Sequence, residues 1–238
     1  MRRIGLLGGT SWESTAHYYA QLNEGVRERL GGYHSADLVV RSVDFAEIEA
    51  LQRAGDWTAL GRRYEAEARA LRTAGAEVVG IVANTMHLVH DDVVRGAGVE
   101  VPHIVDAVGD AAARAGVREL AVLGTRYTMA SSLYPDRLRA HGMTARVPSG
   151  DDVDETNRII YDELVRGVVR DESRVALQGI VRRLVEAGAD AVVLGCTEFS
   201  MILGPDDLPV PVLDSTALHV RALLDAATAR TLYEEGAA

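Results

Sequence analysis

The chain has 238 residues, 47% of them hydrophobic and only 5% aromatic, so aliphatic side chains must fill the core of one large or two small domains. Its net charge of −10 disfavours a nucleic acid or an acidic membrane surface as the partner. A single cysteine and no lysine exclude an internal disulfide, a P-loop and a lysine-bound pyridoxal phosphate.

Apolar runs alternate with segments of helical period along the whole chain. We predict strands at 3–8, 38–43, 78–82, 120–124, 191–195 and 210–214. We predict helices at 11–30, from 45, at 57–73, after 84, and at 154–168, 172–187 and 216–231. Short buried strands separated by helices indicate an α/β fold with doubly wound parallel sheets. No run reaches the roughly 18 apolar residues of a membrane span, and the first apolar run fits a buried strand better than a signal peptide. With the lone cysteine, this predicts a cytoplasmic protein.

The chain also contains an internal sequence repeat. Residues 74–87 read AGAEVVGIVANTMH and residues 187–200 read AGADAVVLGCTEFS, an offset of 113 residues without gaps. The strands at 4–8 and 120–124 repeat at an offset of 116. We therefore predict two similar halves related by a pseudo-twofold, with the active site in the cleft between them. The predicted first half comprises 1–98 plus 210–238, and the second comprises 99–209.

Ligands of parallel α/β sheets bind at the carboxyl ends of the strands. The equivalent tips of the two halves are Ala83-Asn84-Thr85 and Cys196-Thr197-Glu198. Cys196 is thus the candidate nucleophile or base, whereas its counterpart Ala83 has no proton to transfer. Backbone N–H groups at a helix N-terminus are expected to lower the pKa of the thiol. The alternative is a buried cysteine with only a packing role.

Four segments carry a resemblance to a known family: IGLLGGTSWEST at the start, ANTMH at 83–87, LGTRYTM at 123–129 and GCTE at 195–198. They resemble the aspartate/glutamate/hydantoin racemase superfamily, and with SVDFAEIE at 42–49 they are most similar to its bacterial broad-specificity amino-acid racemase branch. The resemblance implies two acid/base residues, usually cysteines, that act on either face of the substrate Cα without metal or pyridoxal phosphate. It also implies a homodimer and a small carboxylate or amino-acid substrate. Cys196 matches the second acid/base position, and Ala83 stands at the first.

The resemblance further implies a set of substrate-binding residues. Short hydroxyl and amide side chains beside exposed N–H groups can hold a carboxylate and stabilise an enediolate. Each of these side chains could instead cap a helix. The residues are Thr10, Ser11, Gln52, Asn84, Thr85, Thr125 and Thr197.

Two further residues are candidates for the catalytic machinery. Glu198 could orient or polarise its neighbours, or could be an exposed first-turn glutamate favoured by the helix dipole. His87 could replace the acid/base missing at Ala83, or could be a structural histidine. His87 and His90 lack a third ligand at a suitable spacing, so we predict no metal site.

Substrate choice is left open by one departure from the family. Members specific for aspartate hold the side-chain carboxylate with an arginine and a lysine. This chain has no lysine, and Arg41 and Arg166 do not fall on those positions. A neutral or variable side chain is therefore as consistent with the sequence as an acidic one.

Three functions fit these residues. The first is a cofactor-independent amino-acid racemase or epimerase acting at Cα through Cys196, impaired or limited to one base by Ala83. The second is a decarboxylase or isomerase with one cysteine on the same fold. The third is an inactive homologue that binds a ligand.

Overall fold

The computed structural model describes residues 1–235, with side chains described as far as Ala229. The chain forms two compact units, and each is described by itself. The first comprises Met1–His103 together with the chain from His219 onward, and the second comprises Ile104–Leu218. The second unit therefore begins at 104 rather than at the predicted 99, and ends at 218 rather than at the predicted 209.

The first unit contains a parallel sheet of strands β1 (Ile4–Gly8), β2 (Leu38–Ser42) and β3 (Val78–Ile81), in the order β2-β1-β3. Buried aliphatic side chains cover both faces of β1, so the sheet is packed between helices as its continuous apolar strands predict. The helices are α1 (Trp12–Leu30), α2 (Phe45–Ala54), α3 (Trp57–Thr73), α4 (His90–Ala97) and α10 (Ser215–Glu235), the last belonging to this unit from His219 onward.

Three helices of the first unit begin where a short polar side chain accepts from a free backbone N–H group. Ser11 accepts from the N–H of Ser14 at the start of α1. Asp44 and Asp56 do the same for α2 and α3. A short 3₁₀ helix, Thr85–Val89, comes between β3 and α4.

The second unit contains strands β4 (Glu119–Leu123), β5 (Thr144–Arg146), β6 (Ala191–Leu194) and β7 (Val212–Asp214), in the order β5-β4-β6-β7. Every pair in this sheet is parallel. Its helices are α5 (Ile104–Ala115), α6 (Arg126–Ala130), α7 (Leu133–Ala140), α8 (Asp151–Arg158) and α9 (Asp171–Glu186). A 3₁₀ helix, Thr197–Met201, follows β6.

The two sheets repeat one arrangement. The order β2-β1-β3 corresponds to β5-β4-β6, with β1 matching β4 and β3 matching β6 as the sequence repeat predicts. The α/β class with parallel sheets is confirmed. The prediction that residues 210–214 belong to the first half differs from the structure, because β7 pairs with β6 through Val192↔Val212 to Leu194↔Asp214.

The predicted helix at 154–168 is replaced by three segments. Helix α8 ends at Arg158, a π-helical turn spans Ile159–Glu163, and a 3₁₀ turn spans Leu164–Arg166. The change of pitch places the carboxylate of Glu163 in the interior, where it accepts from Ser173 Oγ at 2.6 Å and from Arg158 Nη1 at 2.6 Å. Burying a charge requires such partners, so the irregular turn has a local electrostatic cause.

No helix within residues 1–235 combines the length and the apolar composition that crossing a membrane would require.

Candidate active site

Cys196 lies just beyond the carboxyl end of the buried strand β6. Gly195 makes this possible, because its N–H donates to the carbonyl of Leu123 on β4 at 2.7 Å. A Cβ at position 195 would lie 2.6 Å from that carbonyl oxygen, which is too close for any side chain. The glycine lets the chain pass tightly over β4 before Cys196 begins the turn into Thr197–Met201.

The Cys196 thiol forms a pair with a carboxylate. Its Sγ–H donates to Oε2 of Glu198 at 2.9 Å, and the hydroxyl of Thr197 donates to the same oxygen at 2.7 Å. Glu198 is only 8% exposed, so it is not the exposed first-turn glutamate of the alternative interpretation. Its carboxylate orients the two side chains that precede it.

Burial raises the pKa of Cys196 well above its ordinary value, and the charge of Glu198 and its hydrogen bond raise it further. The backbone N–H groups of Thr197 and Glu198 act in the opposite direction but are outweighed. The predicted lowering of the thiol pKa by a helix N-terminus is therefore wrong in direction. At neutral pH the resting group is a thiol, which is a proton donor, and it needs Glu198 as acceptor to become a base.

Thr125 lies beside Cys196 at the end of the neighbouring strand. It follows β4, which pairs with β6, and a Cβ on Gly124 would lie 3.5 Å from the carbonyl of Gly195. Thr125 accepts from the N–H of Thr128 at the start of α6, so the helix-cap interpretation applies to it. The second unit thus brings together Thr125, Cys196, Thr197 and Glu198.

In the first unit the turn after β3 carries the counterpart residues. Ala83 and Thr85 are partly buried and Asn84 is buried. Asn84 precedes the 3₁₀ helix but makes no side-chain cap hydrogen bond to it. The cap interpretation therefore does not account for Asn84.

Gln52 reaches the same turn from helix α2. It is buried, and its Nε2 donates to the sulfur of Met86 at 3.1 Å. Met86 follows Thr85 directly, so Gln52 lies next to the turn that carries Ala83, Asn84 and Thr85.

Thr10 and Ser11 follow β1 through a tight glycine turn. Gly9 has a φ of +96°, and a Cβ there would lie 2.3 Å from the backbone of Val43. Ser11 caps α1, in agreement with the cap interpretation, and the hydroxyl of Thr10 is buried. Both residues therefore lie at the carboxyl edge of the first sheet.

His87 lies one helical turn beyond Ala83. Its Nδ1 donates to the carbonyl of Ala83 at 2.9 Å, and its ring is 3% exposed. The ring lies among other histidines, which the sequence did not indicate because two of them are far from it along the chain. The ring is buried in the protein interior, so proton exchange between His87 and the substrate stays a prediction. No three histidine, cysteine, aspartate or glutamate side chains in residues 1–235 are arranged to hold a metal ion.

The arginines near the candidate site are engaged by carboxylates. Arg41 at the end of β2 binds Glu67 through Nε and Nη2, the latter at 3.0 Å, and Arg63 also pairs with Glu67. Arg126, next to Thr125, binds Asp154 at 2.6 Å. Arg166 lies exposed in the 3₁₀ turn of the second unit.

Comparison with known proteins bears on the family and the fold. The family model for Asp/Glu/hydantoin racemase matches residues 7–223. A Yersinia pestis protein assigned to the Asp/Glu racemases is 41% identical, with a TM-score of 0.90 over 95% of this chain and 99% of that one. An aspartate racemase homologue from Pyrococcus horikoshii OT3 is 36% identical, with a TM-score of 0.84 over 96% of this chain and 100% of that one.

A more distant likeness concerns the fold alone. Arylmalonate decarboxylase is 15% identical, with a TM-score of 0.56 over 94% of this chain and 92% of that one. The family match covers most of the chain, and both closer structures are matched along nearly their whole length. The chain belongs to the Asp/Glu/hydantoin racemase family.

Proposed function

We propose that this protein is a cofactor-independent amino-acid racemase or epimerase that acts at Cα through Cys196. The observation that carries the proposal is the hydrogen bond between the Cys196 thiol and the Glu198 carboxylate at the tip of β6. It joins a proton donor to a proton acceptor at the end of the sheet where ligands of parallel α/β folds bind.

Proton removal can proceed through this pair. Glu198 takes the proton of the Cys196 thiol while the sulfur takes the proton of Cα, and the substrate becomes an enediolate. Thr197 donates to the same Glu198 oxygen, and its hydroxyl can reorient when that carboxylate takes up a proton. The hydroxyl of Thr125, and that of Thr197 once protonation of Glu198 releases it, are our candidates for binding the substrate carboxylate, because both adjoin Cys196. Thr10, Ser11, Gln52, Asn84 and Thr85 are the corresponding candidates of the first unit.

The return of a proton to the other face needs a different donor. The methyl group of Ala83 has no transferable proton, so we propose that water protonates that face. The hydroxide left behind is neutralised by the proton held on Glu198, which restores the resting pair. Loss of a positioned acid/base group costs about 10²–10⁴-fold in rate. We therefore expect hydrogen exchange at Cα to be faster than racemisation.

The proposed substrate has a neutral side chain. Two arginines that follow or adjoin strand ends carrying candidate residues are held by carboxylates, Arg41 by Glu67 and Arg126 by Asp154. A second anionic group on the substrate would have to displace one of these ion pairs. The hydroxyl and amide groups described above suit the single α-carboxylate that all amino acids share.

One observation favours a second candidate, a decarboxylase with one cysteine. Cys196 rests as a thiol and Ala83 is inert, so the site can donate one proton to one face. In that reaction a carbon–carbon bond of a malonate breaks, carbon dioxide leaves, and the electron pair remains as an enediolate. The thiol then protonates Cα, and water restores the thiol.

Exchange in D₂O separates these functions. The protein is incubated with a panel of neutral and acidic L-amino acids, and deuterium at Cα is measured by NMR and mass spectrometry. We expect exchange with neutral substrates, its loss in Cys196→Ser, and no change in the surface control Ser200→Ala. Carbon dioxide release from phenylmalonate without exchange would favour the decarboxylase. Ligand-induced thermal stabilisation without either reaction would indicate a binding homologue and reject both.

A further inference from the structure

Four histidines meet inside the first unit, although they come from four different segments of the chain. They are His87 of the 3₁₀ helix, His90 of α4, His103 before the second unit begins, and His219 of α10. The ring of His87 lies at the centre, with its centroid 4.8 Å from that of His103, 5.2 Å from that of His219 and 6.1 Å from that of His90. His90 and His103 are 4.7 Å apart. We call these four residues the histidine cluster.

Three of the rings are oriented by backbone carbonyls. His87 Nδ1 faces the carbonyl of Ala83 at 2.9 Å, His90 Nε2 faces that of Val101 at 2.9 Å, and His219 Nε2 faces that of Pro102 at 3.0 Å. A carbonyl can only accept, so each of these nitrogens carries the hydrogen. The tautomer of each ring is thereby fixed.

The opposite nitrogens are then acceptors. Nδ1 of His219 accepts from the hydroxyl of Tyr18 on α1 at 2.9 Å. Nε2 of His87 and Nδ1 of His90 are buried and make no hydrogen bond in the described part of the chain. A proton added at His87 Nε2 would create a buried cation facing other imidazoles, without an acceptor.

The surroundings of the cluster offer little to compensate such a charge. Among the described residues, two titratable side chains contact the rings: Tyr18 from α1, and Asp91 beside His90, whose carboxylate is 3.7 Å from Nδ1 but 94% exposed. Burial and the neighbouring histidines hold the pKa of His87 well below its usual range, and burial lowers the pKa of His219 to about 4. The rings of His87 and His219 are therefore uncharged at neutral pH.

The ring of His87 contacts the candidate site through the carbonyl of Ala83, and the backbone N–H of the same residue donates to the carbonyl of Asn84 at 3.0 Å. We propose that the histidine cluster is a positioning network that holds the Ala83–Thr85 turn in place, that His87 is its connecting residue, and that the network works only with uncharged rings. Mild acid then releases the turn reversibly. This inference does not depend on the chemistry of Cys196, because it concerns the backbone of the first unit.

The test uses amide hydrogen exchange of the full chain, which needs no substrate. The pKa of His219 is about 4 when the ring is enclosed and about 6.5 when it is released, so the open form of the network is favoured about thirtyfold more at pH 5 than at pH 7.5. We expect the amides of Asn84, Thr85 and Met86 to gain about that factor, after correction for intrinsic exchange. Equal protection of these amides at the two pH values would overturn the proposal.

Two variants separate positioning from titration. His87→Asn keeps an N–H donor for the carbonyl of Ala83 but cannot take up a proton, whereas His87→Phe removes the donor. We expect His87→Asn to retain protection at pH 7.5 with a weaker acid response, and His87→Phe to lose protection at both pH values. His34→Asn, at an exposed histidine of the same unit, serves as the control and should behave as the parent. An unchanged acid response in His87→Asn would overturn the role of His87.

A variant at another ring of the cluster provides the test if His87→Asn does not fold. His219→Gln retains an N–H for the carbonyl of Pro102 and removes another buried titratable ring of the cluster. It is expected to weaken the acid response of residues 84–86, although residue 219 lies on a distant helix. Where substrate turnover is measurable, KM should rise in acid more than kcat falls, because the turn positions substrate-binding groups. A response identical to that of the parent would reject the network.

Discussion

The thiol of Cys196 and the carboxylate of Glu198 share a hydrogen bond of 2.9 Å across one intervening residue. Between the end of β6 and the 3₁₀ helix that follows it, Glu198 is buried and Cys196 is partly buried. Because the carboxylate raises the pKa of the thiol, the pair stores one proton that either partner can release. Removing the carboxylate should therefore change both the thiol and the reaction.

Glu198→Gln is expected to lower the pKa of Cys196 while reducing Cα exchange about 10²–10⁴-fold. The amide has no charge to oppose the thiolate, so the thiol ionises more readily, but it cannot take up the thiol proton. The pKa can be followed by thiolate absorbance or by the pH dependence of alkylation at this single cysteine. An unchanged thiol titration would show that Glu198 does not control the group, and Ser200→Ala is the matched control.

Ala83→Cys and Ala83→Thr are expected to increase racemisation relative to exchange. Either side chain supplies a group that can transfer a proton at the position equivalent to Cys196, so the gain should approach 10²-fold for cysteine. Chiral chromatography of the product measures it. Ala83→Val enlarges the side chain without adding a proton donor and should show no gain. Increased racemisation in the valine variant would show that the effect comes from packing and not from a new proton donor.

Gly195→Ala should abolish exchange and destabilise the second unit by about 1–3 kcal/mol, because the added methyl group would meet the Leu123 carbonyl at 2.6 Å. The backbone must move, and Cys196 moves with it. Gly179→Ala in α9 is the matched control, since its Cβ would meet only the end of the Arg183 side chain at 3.6 Å. Denaturant unfolding and Cα exchange are the measurements. A fully active Gly195→Ala protein would contradict the assigned position of Cys196.

Acid should destabilise the first unit through its histidines. The pKa of His219 is about 4 in the folded chain and about 6.5 when unfolded, so the unfolded chain binds more protons between these values. Its contribution is intact above pH 6.5, declines as the pH falls, and reaches a loss of about 3 kcal/mol near pH 4. Urea unfolding at pH 7.5, 6 and 5 checks the slope. His219→Gln should flatten it, and a curve as steep as that of the parent would assign the acid sensitivity to other groups.

The parallel sheets and the repeat could be predicted because buried strands such as β3 and β6 read as uninterrupted aliphatic runs. Strand β5 and helices α5, α6 and α7 were missed. The three residues of Thr-Ala-Arg and the five of Arg-Tyr-Thr-Met-Ala are too short to show a period, whereas the helical spacing of buried residues such as Val108 and Ala112 in α5 was overlooked. The unit to which 210–214 belongs was also missed. Strand pairing depends on tertiary contacts, and the sequence VPVLD does not specify β6 as the neighbouring strand.

The candidate site, too, was predicted in part and missed in part. Cys196, Thr197 and Glu198 were selected from their place after a strand, and the structure brings their side chains into one hydrogen-bonded group. The direction of the thiol pKa was wrong because burial and a carboxylate two residues away outweigh two backbone N–H groups. The histidine cluster was missed because His103 and His219 approach His87 only through folding. A spacing rule along the sequence has no means to find such a group.

The histidine cluster also lies where the chain leaves the first unit and returns to it. His103 is the last residue before the second unit and His219 the first after it, and the His219 ring binds the carbonyl of Pro102 at 3.0 Å. Residues 104–218 thus form a continuous insertion whose two ends are anchored side by side in the host. A few residues should suffice to join 103 to 219, so the insertion could be excised and the host closed without stretching its backbone.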